Sequence, residues 1–123
     1  MVSQPVWVEI HVSDVGRSEA FYAALAGWSF EPLEGMPPKS YRMIANTESG
    51  SVGGALVGGF PERVGGGGTI VYIDVADLDA SVGLALSLGG RREAAHQVIN
   101  AEDGRFAVIS DPDGNLVGLW APN

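Results

Sequence analysis

The sequence predicts an α+β fold built from two copies of a βαβββ module. Three observations predict it: an internal repeat at fixed spacing, a switch between strand-like and helix-like periodicity inside each copy, and aspartate or glycine at the joints. Val8-Glu9-Ile10-His11-Val12-Ser13-Asp14 matches Val71-Tyr72-Ile73-Asp74-Val75-Ala76-Asp77, and the match continues through Ser18 with Ser81, Leu25 with Leu88 and Gly27 with Gly90, all at an offset of 63 residues. Further on, Ile44 to Gly50 matches Val108 to Gly114 and Gly54 matches Gly118 at an offset of 64, which implies one inserted residue. Self-similarity at such a period marks a repeated supersecondary unit.

Each element follows from its residues. Segments 7–12 and 70–75 are rich in β-branched and aromatic side chains, which suit a half-buried pleated surface. Asp14 and Asp77 come next, each placed to accept a bond from the free N–H groups of a helix's first turn. Phe21, Ala24, Leu25 and Trp28 fall at i, i+3, i+4 and i+7 in the first helix, and Leu78, Val82 and Leu86 at four-residue steps in the second. These stripes, Phe21 and Trp28 above all, are expected to face the core. Ala26-Gly27 and Gly89-Gly90 end the helices, since glycine accepts the left-handed backbone of a C-terminal cap. Three strands are expected to close each copy, the clearest at 41–46 and 53–58 in the first and at 98–101, 105–110 and 116–121 in the second. Asp111-Pro112-Asp113-Gly114 is a hairpin turn, because Asp-Gly tolerates positive φ and Pro fixes the entry. The whole chain, 1–123, is then one domain with modules at 5–60 and 69–122 and a glycine-rich linker at 61–68. Gly65 to Gly68 does not read as a phosphate-binding loop, because it leads into a strand and not a helix.

Composition excludes several functions. At 46% hydrophobic and 18% charged residues the 123-residue chain is too apolar for disorder, yet it has no apolar run of the ~18–20 residues a membrane helix needs. Seven Lys and Arg against 15 Asp and Glu give a net charge of −8, the wrong sign for a nucleic-acid partner. There is no cysteine, hence no disulfide, thiolate nucleophile or zinc-thiolate site, and the N-terminal residues lack the basic and apolar regions of a signal peptide, so a cytoplasmic location is expected.

Paired βαβββ modules, a first strand running into Val-x-Asp, Phe21-Tyr22 and Gly27-Trp28 on and after the helix, and the late Asp-Pro-Asp-Gly-Asn together resemble the vicinal oxygen chelate superfamily. That superfamily includes glyoxalase I, extradiol dioxygenases, fosfomycin-resistance enzymes and bleomycin-resistance proteins. The resemblance implies the glyoxalase/bleomycin-resistance-like fold, in which two modules form a cup-shaped, partly open mixed β-sheet around a cavity, usually completed by a homodimer. Metal-dependent members hold their ion with His or Glu at four places, which fall here on Trp7, Gly54, Ile70 and Gly118. None of the four side chains coordinates a divalent metal, so the resemblance implies a member without metal or other cofactor.

Alternation along a strand puts Trp7, Glu9 and His11 on one face, Ile70, Tyr72 and Asp74 on another, and Trp120 on the face of Gly118. With Phe60, Gly54 and Gly118 these make an aromatic site with a few polar groups, the usual make-up of a small-molecule pocket. Trp7 is expected to stand opposite glycines as a flat apolar wall. A carboxylate such as Glu9 inside an apolar strand is costly unless paired, so it is either structurally satisfied or functional. His11 and Asp74 occupy equivalent positions and are either a hydrogen-bonded structural pair or site residues. Three functions remain open: sequestration of an aromatic, by charge preferably cationic, small molecule in the manner of bleomycin-resistance proteins; metal-independent isomerase, lyase or hydrolase chemistry with Glu9, His11 or Asp74 as acid and base; or a stress or regulatory module with an incidental cavity.

Overall fold

The computed structural model describes residues 2–123, apart from the side chains of residues 95 and 96. The first copy runs β1 (Pro5–His11), α1 (Val15–Ala26), β2 (Phe30–Pro32), β3 (Tyr41–Ile44) and β4 (Gly53–Val57). After a 3-10 turn (Pro61–Arg63), the second copy runs β5 (Thr69–Asp74), α2 (Leu78–Ser87), β6 (Arg91–Asn100), β7 (Gly104–Ser110) and β8 (Leu116–Ala121). The βαβββ order therefore occurs twice, and the fold is α+β with mixed, open sheet.

Two compact units emerge, and they do not follow chain order strictly. One is Trp7–Thr69; the other joins Ile70–Asn123 to the N-terminal segment as far as Val6. In the first, the strand order is β2-β3-β4-β1, with β1 parallel to β4 and the remaining pairs antiparallel. The second has β5-β8-β7-β6, again with a parallel pair (β5 and β8) followed by antiparallel ones. Within that second unit, Gln4 N donates to Asp74 Oδ1 at 2.6 Å and Asp74 N donates to Gln4 O at 3.1 Å.

The strand registers correct the repeat. Glu9 stands beside Ala55 and Tyr72 beside Gly118, so both members of the pair keep the offset of 63, and Ala55, not Gly54, is the equivalent of Gly118. Tyr41 beside Val57 and Phe106 beside Trp120 show that β3 and β7 are offset by 65. The first copy thus carries its extra residues in the connection between β3 and β4. A one-residue slip transfers a side chain to the opposite face of the sheet, so this correction alters the site.

Both helix starts and both stops follow the sequence reading. Asp14 accepts from Arg17 N and Asp77 from Ala80 N, each at 3.0 Å. Gly27 caps α1 at φ 73°, and Gly89 follows α2 at φ 97°. The inward stripes differ. On α1 the partly buried residues are Val15, Ser18, Glu19 and Tyr22, while Phe21 is 58% and Leu25 69% exposed. The helix is turned by about one residue, 100°, from the expected phase. Glu19 meets Arg42 of β3 at 3.6 Å, and Tyr22 stacks on a partly buried Trp28 at 5.1 Å, which hold this phase. On α2, Leu78 and Val82 are buried as expected, but Ala85 and not Leu86 completes the stripe against Val75, Ile109 and Leu119.

β6 is longer than the expected 98–101, starting at Arg91 directly after Gly90. Its Arg-Arg-Glu-Ala-Ala start has no β propensity, and pairing with β7 imposes the strand, with three register irregularities along it. The Asp111–Asn115 turn forms as expected: Asp111 N donates to Asn115 O and Gly114 N to Asp111 O, both at 2.9 Å. The glycine run is tied at its end, for His11 N donates to Gly68 O and Gly68 N to Gly65 O.

Candidate functional site

In the Trp7–Thr69 unit, pairing of β1 with β4 sets Trp7 beside Gly53, Glu9 beside Ala55 and His11 beside Val57. Trp7, Glu9 and His11 therefore share one face, joined by Tyr41, which stands beside Val57. The other face belongs to α1. Val15 of that helix lies against Gly58, and Arg42, beside Leu56, reaches Glu19. Gly54 is on this helix-facing side, beside Val8, where an added Cβ would meet the Val8 carbonyl. The expectation that Gly54 stands opposite Trp7 is thus corrected by one residue: Gly53 does. A Cβ at Gly53 would lie 2.7 Å from Trp7 Cζ3, so the absence of a side chain lets the indole lie flat along the sheet.

Trp7, Tyr41 and Glu9 form a polar chain within an apolar wall. Trp7 Nε1 donates to Tyr41 Oη at 2.9 Å, and the Tyr41 hydroxyl donates to the Glu9 carboxylate. Tyr41 is 4% and Glu9 7% exposed. Burial, and then the Glu9 charge, push the Tyr41 hydroxyl far above the ordinary phenol range, with the Trp7 N–H pulling weakly the other way. Tyr41 accordingly stays a donor, and the buried carboxylate has the partner its burial demands. Leu33, Met36, Ala55 and Val57 pack around this chain. Tyr41 is the member that sequence reading missed; its only signal was its place as first residue of an expected strand.

His11 is 5% exposed, with Nδ1 2.7 Å from Gly68 O. Its ring stands at 89° to that of Phe60, centroids 5.7 Å apart, and the Arg63 guanidinium lies 4.8 Å from the Phe60 centroid. Phe60 thus joins the His11 end of the face.

The other unit has a parallel arrangement of its own. Tyr72, 5% exposed, lies over Gly118, where a Cβ would overlap its ring, and meets Phe106 edge-on at 6.0 Å. Phe106 holds the place that Tyr41 has in the first copy. Ile70 is fully buried. Trp120 stands beside Phe106 and donates through Nε1 to Asp103 O at 2.6 Å. Asp74 is engaged inside this unit by Gln4, and His11 inside the other by Gly68.

At the places where metal-dependent relatives carry ligands, the donor set does not fit a metal. Indole, aliphatic and absent side chains occupy them, and replacing Gly54 by its register equivalent Ala55 changes nothing. Among the described residues no three His, Cys, Asp or Glu side chains gather closely enough to hold an ion. No described helix is long and apolar enough to cross a membrane.

Residues 7–119 match the family model described as a glyoxalase-like domain. Two curated proteins of Mycobacterium bovis and Mycobacterium tuberculosis, provisionally named glyoxylase CFP32, are 31% identical over 122 residues, 97% of this chain. The chain spans only about half the length of these relatives, 46%. Among solved structures, methylmalonyl-CoA epimerase from Mycobacterium tuberculosis superposes with a TM-score of 0.66 at 22% identity, covering 97% of this chain and 87% of that one. A glyoxalase/bleomycin resistance protein/dioxygenase superfamily member from Vibrio splendidus gives a TM-score of 0.60 at 18% identity over 98% and 99% of the two chains. At such identities the structural likenesses speak for the fold.

Proposed function

The chain belongs to the glyoxalase-like domain family of the vicinal oxygen chelate superfamily, and from that premise we propose that it is a metal-independent small-molecule-binding protein that sequesters an aromatic natural product or antibiotic. The observation that carries this reading is the anchored indole: at a metal-ligand place of the family, Trp7 lies flat over Gly53 with its N–H fixed to Tyr41. An aromatic wall held this way loses little freedom when a planar molecule stacks on it. Burial of apolar area at ~25 cal/mol per Å² and stacking of ~0.5–1.5 kcal/mol supply the affinity. The net charge of −8 favours a cationic ligand through long-range steering.

Burial of Glu9 and His11 on the Trp7 face favours a second reading, a metal-independent isomerase, lyase or hydrolase. The two readings part in one experiment. Titration with polycyclic aromatic or glycopeptide antibiotics, followed by tryptophan fluorescence and by mass spectrometry of the ligand after prolonged incubation, returns the compound unaltered from a binder. Trp7→Ala then removes the quenching and weakens binding by ~1–3 kcal/mol. A new product that disappears in Glu9→Gln or His11→Asn overturns sequestration in favour of catalysis.

The reading extends to a homodimer. The apolar, exposed side of α1 supports it, as does the length of the curated relatives, which leaves room beside the matched segment for another domain of this size.

A further inference from the structure

The two helices share a feature that neither the site nor the core accounts for. A helix on a protein surface ordinarily turns charged residues to water. Beyond Glu19 in α1 and beyond Asp79 in α2, however, no residue of either helix is charged. In place of charge, each presents a large apolar pair four residues apart: Phe21 and Leu25, 58% and 69% exposed, on α1, and Leu84 and Leu88, 60% and 69% exposed, at the end of α2. The pairs are related by the same offset of 63 that relates the two copies. An apolar stripe exposed at equivalent positions of both helices marks a surface that an assembly covers.

The two outward faces differ in shape. On α2, Ala80, Gly83, Leu84 and Ser87 stand at i, i+3, i+4 and i+7, the four positions that enclose a hole on a helix surface, and all four are exposed. A Cβ at Gly83 would meet nothing, so the hole is open to its floor. Its one hydroxyl is already satisfied, since Ser87 Oγ donates to Leu84 O at 2.7 Å, and covering it strands no side-chain polar group. On α1, Phe21 stands out as a ridge, met edge-on by the Tyr22 ring at 5.0 Å between centroids. A bulky side chain on one helix and an uncharged hole on another are the two halves of a knobs-into-holes contact.

We propose that α1 of one chain packs on α2 of a second copy, with Phe21 as the knob and the hole at Gly83 as its seat. This rests on the homodimer reading above and adds the surface on which the partner sits. In a two-fold pair the contact occurs twice, because a residue that meets a partner residue is met in turn by its equivalent. The curated relatives have length for a further domain of this size beside the matched segment, which suits a partner of the same kind. A lipid surface is the poorer occupant: helices that lie on membranes carry Lys or Arg beside their apolar stripe, whereas α2 has neither and the chain bears a net charge of −8.

A size swap, followed by sedimentation equilibrium of the full chain, tests the contact. Phe21→Ala removes the knob and Gly83→Leu fills the hole, and each alone is expected to raise the dimer dissociation constant about tenfold or more. The double variant Phe21→Ala/Gly83→Leu moves the bulk from one side to the other and is expected to return to within about threefold of wild type. Gly83→Leu meets no obstacle within the chain and replaces a poor helix former, so the melting temperature of the dilute monomer is expected to hold or rise while the dimer weakens. A loss in Phe21→Ala with an unmoved constant in Gly83→Leu overturns the α2 seat and leaves a homodimer built on α1. Losses that merely add in the double variant overturn the contact between the two residues. Unmoved constants in both single variants overturn the helical interface and leave the homodimer standing on other surfaces, whereas a monomeric wild type overturns interface and homodimer together.

Discussion

At the scale of single residues, Tyr41 is the pivot of the Trp7 face, since one hydroxyl accepts from an indole and donates to a buried carboxylate. Tyr41→Phe keeps the ring but leaves Glu9 and the Trp7 N–H each short of a partner. Chemical denaturation at neutral pH is expected to show a loss of ~1–3 kcal/mol. The pH dependence has a definite sign. The folded hydroxyl titrates above its ordinary value of 10.0, so its contribution is fully present below pH 10.0 and is lost as the solution becomes more alkaline, where only the unfolded tyrosine ionises. The gap between wild type and Tyr41→Phe is therefore expected to narrow above pH 10.0. Glycine has the reverse role at 118, where emptiness seats a ring. Gly118→Ala forces a methyl into the Tyr72 ring and is expected to cost ~1–3 kcal/mol by the same measurement.

At the scale of elements, two features lend themselves to test. The turn after β7 is closed by Asp111, whose carboxylate accepts from the side chain and backbone of Asn115 and from Asp113 N, and these bonds hold it below its usual 3.8. A carboxylate so lowered contributes stability above the unfolded value and loses it as pH falls. Thermal melts are expected to show a constant penalty for Asp111→Ala above pH 5 that shrinks below pH 3.8. The other feature is α1, in which no residue is fully buried and Phe21 and Leu25 face outward. Light scattering is expected to give two chain masses for the wild type and one for Leu25→Glu. A wild-type monomer at micromolar concentration removes the homodimer.

At the scale of the whole molecule, absence of a metal-ligand set leads to a plain expectation: EDTA leaves the melting temperature unchanged, and elemental analysis finds no stoichiometric transition metal. One equivalent of nickel, zinc, manganese or iron contradicts it. The fold itself was legible because its signals are local and doubled. A cap at Asp14 is repeated at Asp77, and the glycine stop after α1 has its counterpart after α2. The face of the site was half legible. Alternation along β1 is intrinsic to a strand and correctly grouped Trp7, Glu9 and His11. Which glycine meets Trp7 depends on register between strands, and the β3–β4 connection, where the copies differ in length, concealed it. The phase of α1 failed for a related reason. Its apolar stripe is the outward one, and partners distant in sequence, Arg42 for Glu19 and Gly58 for Val15, turn the more polar side inward. Tyr41 and the Gly68 carbonyl were invisible because their roles exist only once β1 lies beside its neighbours.

The exchange of bonds between Gln4 and Asp74 bears on how this chain can be cut. Residues preceding Trp7 belong to the compact unit of the second module although the first module separates them in sequence. Severing the glycine run is therefore expected not to release two independent modules, because the amino-terminal piece keeps the segment whose Gln4 bonds Asp74 of the carboxy-terminal piece. The two pieces are instead complementary fragments. Fused to interacting partners, they are expected to make a split reporter whose reassembly returns Gln4 to Asp74 and is read out by protection of the Asp74 amide from hydrogen exchange.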